Sequence, residues 1–230
     1  MRILLKISGE ALKGEKEFGI DPDFTKNVVK IIKEIYDKGI QIAIVIGGGN
    51  IYRGGSLISA GVNPADSHNL SMLSTVFNGV VLKNFLEKDG IDSVVMDPNG
   101  INFVEDYSKN NALKYLKEGK IVICTGGIGN PYFTTDTGGV LRSLELDCEM
   151  MIKATKVDGV YDKDPMKFDD AVFYEKISYE EVINKNLKIL DQNAVALAKD
   201  NNVKIKVVNI SKSGAVLRAV IGEKEGSLIS

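Results

Sequence analysis

The sequence predicts an α/β fold, a three-layer sandwich around a mainly parallel, doubly wound sheet. Six short apolar runs, rich in β-branched residues, are typical of buried strands. They cover residues 3–7, 40–46, 93–97, 121–124, 150–154 and 203–210. Helical patterns separate most of these runs, and strands that alternate with helices form parallel sheets with helices on both faces.

Two segments show the three- and four-residue spacing of apolar side chains that is typical of amphipathic helices. The first covers residues 24–35, opens at Asp21-Pro22 and closes near Gly39. Proline at the start and glycine past the end are the usual signals of helix boundaries. The second covers residues 73–85 within an apolar stretch over 70–86.

Length, charge and cysteine content narrow the class of protein. A chain of 230 residues can bury roughly 70% of its unfolded surface. We expect residues 1–230 to form a single domain, and residues 156–170 are where two lobes would divide.

The charge of the chain is nearly balanced. The 29 basic and 31 acidic side chains nearly cancel, so neither nucleic acid nor a membrane is an expected partner. Cys124 and Cys148 fit neither a disulfide framework nor a zinc site. No apolar run reaches membrane-spanning length, and a cytoplasmic location is expected.

Four segments with the side chains for chemistry each follow a predicted strand. The carboxyl ends of parallel strands share one edge of a sheet, where α/β proteins bind ligands. In the first segment, Lys6 lies inside an apolar strand that ends at Ser8-Gly9. Its ammonium group must reach either solvent or a buried anion, for which phosphate is the obvious candidate. An edge strand whose lysine points to water is the plainer alternative.

The second segment places Gly47-Gly48-Gly49 after a very apolar strand, with Arg53 four residues further on. Consecutive glycines let the backbone approach a ligand closely and turn its N–H groups toward an anion. The spacing matches neither a Walker motif nor the dinucleotide-binding fingerprint. A flexible loop is the alternative interpretation.

The third segment, residues 128–137, combines three threonine hydroxyl groups, one carboxylate and two aromatic rings. We expect Thr135 or Asp136 to cap a helix that runs through residues 138–146, and the first N–H groups of that helix would then face an anion. A glycine-rich turn with an ordinary N-cap is the alternative.

The fourth segment, residues 153–165, begins as a strand and continues as a turn-rich loop. Tyr161 could pack against a nucleobase there, while Thr155 and Asp164 supply polar contacts. A solvated turn with a half-buried tyrosine is the alternative.

These motifs resemble those of the bacterial-type uridylate (UMP) kinases of the amino-acid-kinase superfamily. The similarity covers nearly the whole chain and is carried by residues 6–12, 47–54, 129–137, 153–165 and 187–191. It implies the amino-acid-kinase fold, the transfer of the γ-phosphoryl group of ATP to UMP with Mg²⁺ in pyrimidine nucleotide biosynthesis, and a homohexamer. The helix over residues 70–86 is the candidate subunit interface because of its apolar breadth.

Carried over residue by residue, the resemblance assigns two nucleotide sites. The residues that match the ATP site are Lys6, Ile7, Ser8, Gly9, Gly49, Arg53, Thr155, Tyr161 and Asp164. The residues that match the UMP site are Gly48, Ile128, Gly129, Asn130, Pro131, Tyr132, Phe133, Thr134 and Thr135. Lys6 and Arg53 are the candidates for stabilising transition-state charge, since phosphoryl transfer depends on positioning and charge neutralisation. Asp136 would orient Lys6 or act on Mg²⁺ indirectly, and no metal ligands are assigned.

The sequence departs from the family pattern at three places. His68 stands where the family has a UMP-binding aspartate, and Asp66 lies two residues earlier, so either is a candidate for the ribose contact. An exposed residue at a helix start is the alternative for a lone histidine. Ile128 replaces a usual threonine and removes one hydroxyl group. Gly138-Gly139 replace alanines, which weakens a helix by about 1 kcal/mol per glycine.

Regulation and two competing functions follow from the same comparison. Family members are commonly activated by GTP and inhibited by UTP, and residues 14–19 correspond to the activation segment. Asn110-Asn111 stand where arginines are frequent, which argues against control by GTP. A kinase of the superfamily that acts on a carboxylate or carbamate would lack the stretch over residues 130–137. A nucleotide-binding storage or regulatory protein of the same fold would have no need to retain Lys6, Arg53 and Asp136.

Overall fold

A nine-stranded sheet forms the centre of the computed structural model, which describes residues 1–52 and 54–230, without the side chains of residues 54 and 56. Its strands are β1 (Arg2–Ile7), β2 (Gln41–Ile46), β3 (Ser93–Asp97), β4 (Glu105–Asp106), β5 (Ile121–Cys124), β6 (Met150–Thr155), β9 (Lys176–Ile177), β10 (Ile205–Asn209) and β11 (Ser227–Ile229). The order across the sheet is β4-β3-β5-β2-β1-β6-β10-β11-β9, and all neighbours are parallel except β10 and β11. Strands β7 (Val160–Tyr161) and β8 (Phe173–Tyr174) form a separate antiparallel pair.

Helices cover both faces of this sheet. They are α1 (Glu10–Lys13), α2 (Pro22–Tyr36), α3 (Gly54–Ser59), α4 (Pro64–Lys88), α5 (Lys109–Lys117), α6 (Thr135–Glu145), α7 (Tyr179–Asn184), α8 (Gln192–Asp200) and α9 (Ala215–Val220). Helices α2, α4 and α9 share one apolar cluster with the sheet, and α5, α6, α7 and α8 share a second cluster on the opposite face. The predicted three-layer sandwich is confirmed.

The central strand β1 shows why the sequence is nearly continuously apolar there. Ile3, Leu5 and Ile7 belong to the first cluster, whereas Leu4 belongs to the second. Alternate side chains of a strand point to opposite faces, so Lys6 lies on the same face as Leu4, under α6. Lys6 is therefore a cation placed at a position that the fold otherwise fills with an apolar side chain.

Helix α2 confirms its predicted boundaries. Asp21 is the N-cap, and its carboxylate accepts a hydrogen bond of 2.9 Å from the N–H of Asp23. Gly39 has a φ of 72°, which glycine adopts without strain. Helix α4 begins earlier than the apolar pattern indicates, at Pro64, because its first turns are polar and Asn63 caps them.

The start of α6 corrects one prediction. The N-cap is Thr134, whose hydroxyl accepts a hydrogen bond of 3.0 Å from the N–H of Asp136, and neither Thr135 nor Asp136 has this role. The cap lies one residue earlier because only a side chain just outside the helix can reach the second N–H group. Thr135 and Asp136 are the first two helical residues, so their side chains are available for other contacts.

Residues 156–170 lie outside the nine-stranded sheet and include β7. The strands on either side of this segment, β6 and β10, are parallel neighbours in the one sheet. Within residues 1–52 and 54–230, no helix combines the length and the apolar character needed to cross a membrane.

Candidate active site

The four predicted segments meet at one edge of the sheet. Cys124 of β5 pairs with Val45 of β2, Val45 pairs with Lys6 of β1, and Lys6 pairs with Lys153 of β6. These four adjacent strands end at the same level, so the loops that follow them are neighbours. The expectation that the segments share an edge is confirmed.

Two lysines share one carboxylate at this edge. Lys6 Nζ lies 2.7 Å from Asp136 Oδ1, and Lys153 Nζ lies 2.5 Å from Asp136 Oδ2. The side chains of Lys6, Asp136 and Lys153 are 10%, 14% and 12% exposed, so the group is largely shielded from water. These three side chains together carry one surplus positive charge, which suits the binding of an anion, and the carboxylate of Asp191 also acts on Lys153.

Burial and charge act in opposite directions on Asp136. Burial alone would raise the pKa of its carboxyl group, but the positive charges of Lys6 and then Lys153 outweigh burial and lower that pKa. Burial also lowers the pKa of Lys153, which Asp136 partly offsets. The carboxylate is therefore ionised at neutral pH. Its negative charge offsets the repulsion between the two buried ammonium groups of Lys6 and Lys153.

A second carboxylate, Asp191, fastens the third segment to α8. Asp191 Oδ2 accepts a hydrogen bond of 2.5 Å from Thr134 Oγ1, and Asp191 Oδ1 accepts one of 2.9 Å from Thr137 Oγ1. Asp191 is also the N-cap of α8, because Oδ1 accepts a hydrogen bond of 3.0 Å from the N–H of Ala194. Lys153 Nζ donates to the carbonyl oxygen of Ile189 just before this cap. These contacts hold the start of α6 against α8.

The roles of Lys153 and Asp191 were missed at the sequence level. Lys153 carries the same signal as Lys6, a lysine inside an apolar strand, and that signal could have identified it. Asp191 shows only the ordinary pattern of an N-cap, so its contact with α6 depends on tertiary structure.

The loops after β1 and β2 pack so tightly that only glycine fits. A Cβ atom on Gly9 would lie 2.2 Å from Asn50 Oδ1 and 2.7 Å from the carbonyl oxygen of Gly47. A Cβ atom on Gly48 would lie 2.6 Å from Ser74 Cβ. Gly9 and Gly48 therefore serve close packing of these loops, and the flexible-loop interpretation does not apply to Gly48.

A buried pair of amides supports this packing. Asn78 Nδ2 donates to Asn50 Oδ1 at 2.6 Å and to the carbonyl oxygen of Gly47 at 2.7 Å. Asn50 Nδ2 donates to the carbonyl oxygen of Gly19 at 2.9 Å. Helix α4 is thereby connected both to the glycine loop and to the segment over residues 14–19.

The third segment begins with a tightly held turn. Gly126, Gly127 and Gly129 all have positive φ angles, of 67°, 58° and 84°. The N–H of Gly126 donates to Thr75 Oγ1 at 2.8 Å, which ties the turn to α4. A Cβ atom on Gly138 would lie 3.2 Å from the Cα of Gly127. The glycine in α6 thus lets the helix approach this turn, which offsets its low helix propensity.

A buried arginine supports the turn from the other side. Arg142 Nη2 donates to the carbonyl oxygen of Gly127 at 3.3 Å, and Arg142 Nη1 lies 2.5 Å from Glu145 Oε2. The guanidinium group stacks on the ring of Tyr107 at 3.6 Å. Burial raises the pKa of the nearby Cys124 thiol to about 12, so this cysteine is a packing residue.

The middle of the third segment meets the start of α4. The N–H of Tyr132 donates a hydrogen bond of 3.1 Å to His68 Nδ1, and the two rings lie 5.1 Å apart. Asp66, the other candidate for the ribose contact, is exposed in the first turn of α4. His68 is therefore the candidate that the fold brings to the third segment.

A cavity of about 500 Å³ lies beside the lysine pair. Tyr161, Asp164, Lys188 and Ile189 are among its lining residues. Ile189 connects its wall to Lys153, because the carbonyl oxygen of Ile189 accepts a hydrogen bond from Lys153 Nζ. Thr155 does not line this cavity, because its hydroxyl donates to the carbonyl oxygen of Val157 at 2.8 Å within the turn.

The remaining predicted residues divide into two groups. Ile7 ends β1, Ser8 and Gly49 lie in the loops after β1 and β2, and Ile128, Asn130, Pro131, Phe133 and Thr135 lie in the third segment. Arg53 lies outside the described residues. Among the described residues, no cluster of three or more histidine, cysteine or acidic side chains is arranged to hold a metal ion.

Comparisons with known proteins agree with this arrangement. A model of the amino acid kinase family matches residues 1–209. A uridylate kinase of Vibrio cholerae is 44% identical over 230 residues, which are 100% of this chain and 95% of the relative. One from Chromohalobacter salexigens is 44% identical over 229 residues, with 99% of this chain and 90% of the relative covered.

Solved structures give the same result. The crystal structure of a UMP kinase from Bacillus anthracis aligns with a TM-score of 0.96 at 34% identity and covers 100% of this chain and 95% of that one. A UMP kinase from Ureaplasma parvum aligns with a TM-score of 0.93 at 33% identity and covers 100% of this chain and 98% of that one.

Proposed function

The chain belongs to the amino acid kinase family, and we propose that it transfers the γ-phosphoryl group of ATP to UMP, giving UDP and ADP. The observation that carries this proposal is the pair of buried lysines around Asp136, at the edge where four adjacent strands end. The similarity to uridylate kinases over the full chain supports UMP as the acceptor.

Phosphoryl transfer requires mainly positioning and neutralisation of charge. Lys6 is the candidate to stabilise negative charge on the transferred group, and Asp136 orients it through the contact of 2.7 Å. Lys153 supplies the second positive charge on the same carboxylate. Arg53 is proposed beside the phosphates. A general base is unnecessary, since the phosphate of UMP is already ionised.

ATP would lie between the loop after β1 and the cavity of about 500 Å³. Ser8, Gly9 and Gly49 are proposed at its phosphates, and Tyr161 and Asp164 at its adenosine end. Thr155 would act through the turn that it stabilises. Mg²⁺ would bind as a complex with the phosphates of ATP, because both carboxylate oxygens of Asp136 already form ion pairs with Lys6 and Lys153. Bound there, Mg²⁺ would neutralise part of the phosphate charge.

UMP would occupy the other side of the lysines, along the third segment. The proposed residues of this site are Gly48, either Asp66 or His68, and the residues from Ile128 to Thr135. Asp191 prepares this site, because its hydrogen bonds with Thr134 and Thr137 fix the start of α6. The acceptor phosphate would then face the amino end of an eleven-residue helix, which favours an anion.

The outward side of α4 supports assembly into a homohexamer. Leu73 and Phe77 on α4 are 49% and 54% exposed, and the neighbouring Phe103 is 72% exposed. A contiguous apolar patch of this kind is typical of an interface between proteins. We expect Phe77→Ser to reduce the mass of the assembly in light scattering, whereas an unchanged mass would remove α4 from the interface. Inhibition by UTP is proposed on family resemblance alone; the same resemblance implies activation by GTP, against which Asn110-Asn111 argue.

The direct test of acceptor choice is an assay of ADP release with MgATP and UMP, CMP, dUMP or GMP side by side. A strong preference for UMP is expected. Lys6→Met keeps the apolar stem and removes the charge, so it should lower kcat by about 100-fold or more while the fold is retained. Turnover close to that of the wild type would remove Lys6 from the mechanism. Binding of UMP and ATP without ADP release would favour a storage or regulatory protein of the same fold.

A further inference from the structure

The stretch from Asn130 to Phe133 is held to the rest of the chain at one point. Within the described residues, its hydrogen bonding consists of the N–H of Tyr132 donating to His68 Nδ1 at 3.1 Å. The rings of the two residues lie 5.1 Å apart with an interplanar angle of 38°. Gly129 precedes this stretch and Pro131 lies within it, and no helix or strand includes residues 130–133, so regular secondary structure does not fix its conformation.

Tyr132 also needs such an anchor. Its φ angle is 71°, in the left-handed region that a bulky residue rarely adopts. Its side chain is 61% exposed, so burial of the ring does not hold this conformation. A strained backbone of this kind persists only where surrounding contacts over-determine it. The hydrogen bond and the ring contact with His68 are those contacts.

His68 itself is firmly placed. It lies in the second turn of α4, which opens with the Asn63 cap. The preceding residue, Ser67, is buried and lies 3.0 Å from the hydroxyl of Tyr52 after the glycine loop. The imidazole therefore projects from a helix that is tied to the loop after β2, and it connects that loop with the third segment.

We propose that His68 is a positioning residue for the acceptor nucleotide, acting through Tyr132. A backbone N–H can only donate, so His68 Nδ1 must be unprotonated and the neutral ring must carry its proton on Nε2. In this tautomer the ring fixes the Asn130 to Phe133 stretch in the shape that receives UMP. This inference rests on the proposed function for its kinetic consequence, but the tautomer and the contact are properties of the free protein.

The free protein gives the first test. His68 is the only histidine in the chain, so ¹⁵N labelling of histidine yields one pair of imidazole nitrogen signals. The expected spectrum shows a single tautomer, protonated at Nε2 and unprotonated at Nδ1, in the absence of any nucleotide. A mixture of the two tautomers, or a ring protonated at Nδ1, would overturn the proposal whatever the enzyme does.

Two nearly isosteric variants give the kinetic test. His68→Asn keeps an acceptor close to the position of Nδ1, whereas His68→Leu has a similar shape and no acceptor. We expect His68→Leu to raise KM for UMP by about tenfold, the change that corresponds to a loss of about 1.4 kcal/mol. KM for ATP should remain within about twofold, since the ATP side does not depend on Tyr132, and His68→Asn should restore most of the affinity for UMP.

The outcomes separate the two proposals. Equal KM values for UMP in His68→Leu and the wild type would overturn the positioning role, and so would equal losses in the Asn and Leu variants. If the wild type transfers no phosphate to UMP, the proposed function fails, while the tautomer in the free protein still reports on the contact with Tyr132. Melting temperatures of both variants close to that of the wild type would exclude a general loss of structure.

Discussion

Replacing Asp136 by asparagine removes the charge that allows two lysines to be buried side by side. Asp136 binds Lys6 at 2.7 Å and Lys153 at 2.5 Å, and the three side chains are at most 14% exposed. Asparagine has nearly the same size as aspartate. The variant therefore keeps the packing and removes the carboxylate that binds both ammonium groups, so that Lys153 is left with only the weaker influence of Asp191.

The expected loss of stability follows from this geometry. Two unit charges about 5 Å apart at an effective dielectric constant of about 20 repel by about 3 kcal/mol. Removing one partner of a buried ion pair typically costs about 3–5 kcal/mol. For a chain of this size, each kcal/mol lowers Tm by about 2–4 °C, so we expect Tm to fall by about 6–20 °C. We expect kcat to fall by about 100- to 1000-fold, as for the loss of one preorganised charge contact.

Thermal melting followed by circular dichroism and the ADP-release assay measure both effects. Asp147→Asn is the matched control, since Asp147 is exposed after α6 and its φ of 52° is one that asparagine tolerates. This control should behave like the wild type. If Asp136→Asn kept Tm within about 2 °C of the wild type, less than the effect of 1 kcal/mol, the carboxylate would not be what stabilises the two lysines.

Four further outcomes are expected. Gly9→Ala should lose activity and stability because its Cβ would meet Asn50 Oδ1 at 2.2 Å, whereas Gly55→Ala, at an open position, should not. Thr137→Val removes the donor to Asp191 at 2.9 Å, so urea unfolding should show a loss of about 1–3 kcal/mol. Because the lysines outweigh burial and lower the pKa of Asp136, its contribution to stability is present above the ordinary value of 3.8 and is lost as the pH falls below it. The Tm of the wild type should therefore fall more steeply in acid than that of Asp136→Asn. Burial raises the pKa of both Cys124 and Cys148 to about 12, so intact-mass analysis should find neither alkylated by iodoacetamide at about pH 8 until the chain is unfolded.

The central strands of the sheet, and the edge of the sheet that carries the candidate active site, were predictable because both depend on local sequence patterns. Short apolar runs identified the strands, and the parallel arrangement then placed Lys6, Gly48 and Lys153 at one edge. A lysine in an apolar strand correctly indicated a buried anion. The strand alone suggested phosphate, and the family resemblance suggested that Asp136 orients Lys6; the structure shows the carboxylate of Asp136 as the partner of Lys6.

The remaining contacts depend on tertiary structure. Nothing local links Asp191 to Thr134 and Thr137, which lie more than fifty residues away in the chain. The interpretation of Gly138 as a helix-weakening residue was incomplete for the same reason. The absence of a side chain at Gly138 allows α6 to lie close to Gly127, which only the tertiary structure shows. The contact between His68 and Tyr132 likewise requires the fold to bring the start of α4 to the third segment.

A single-turnover experiment with γ-³²P-labelled ATP and UMP tests the proposed reaction most directly. The enzyme, in excess over labelled ATP, is mixed with saturating UMP and Mg²⁺, and the products are separated by thin-layer chromatography. We expect the wild type to transfer the label from ATP to UDP, and we expect this transfer to be much slower in Lys6→Met. Label that remains in ATP or appears only as inorganic phosphate would contradict phosphoryl transfer to UMP at this site.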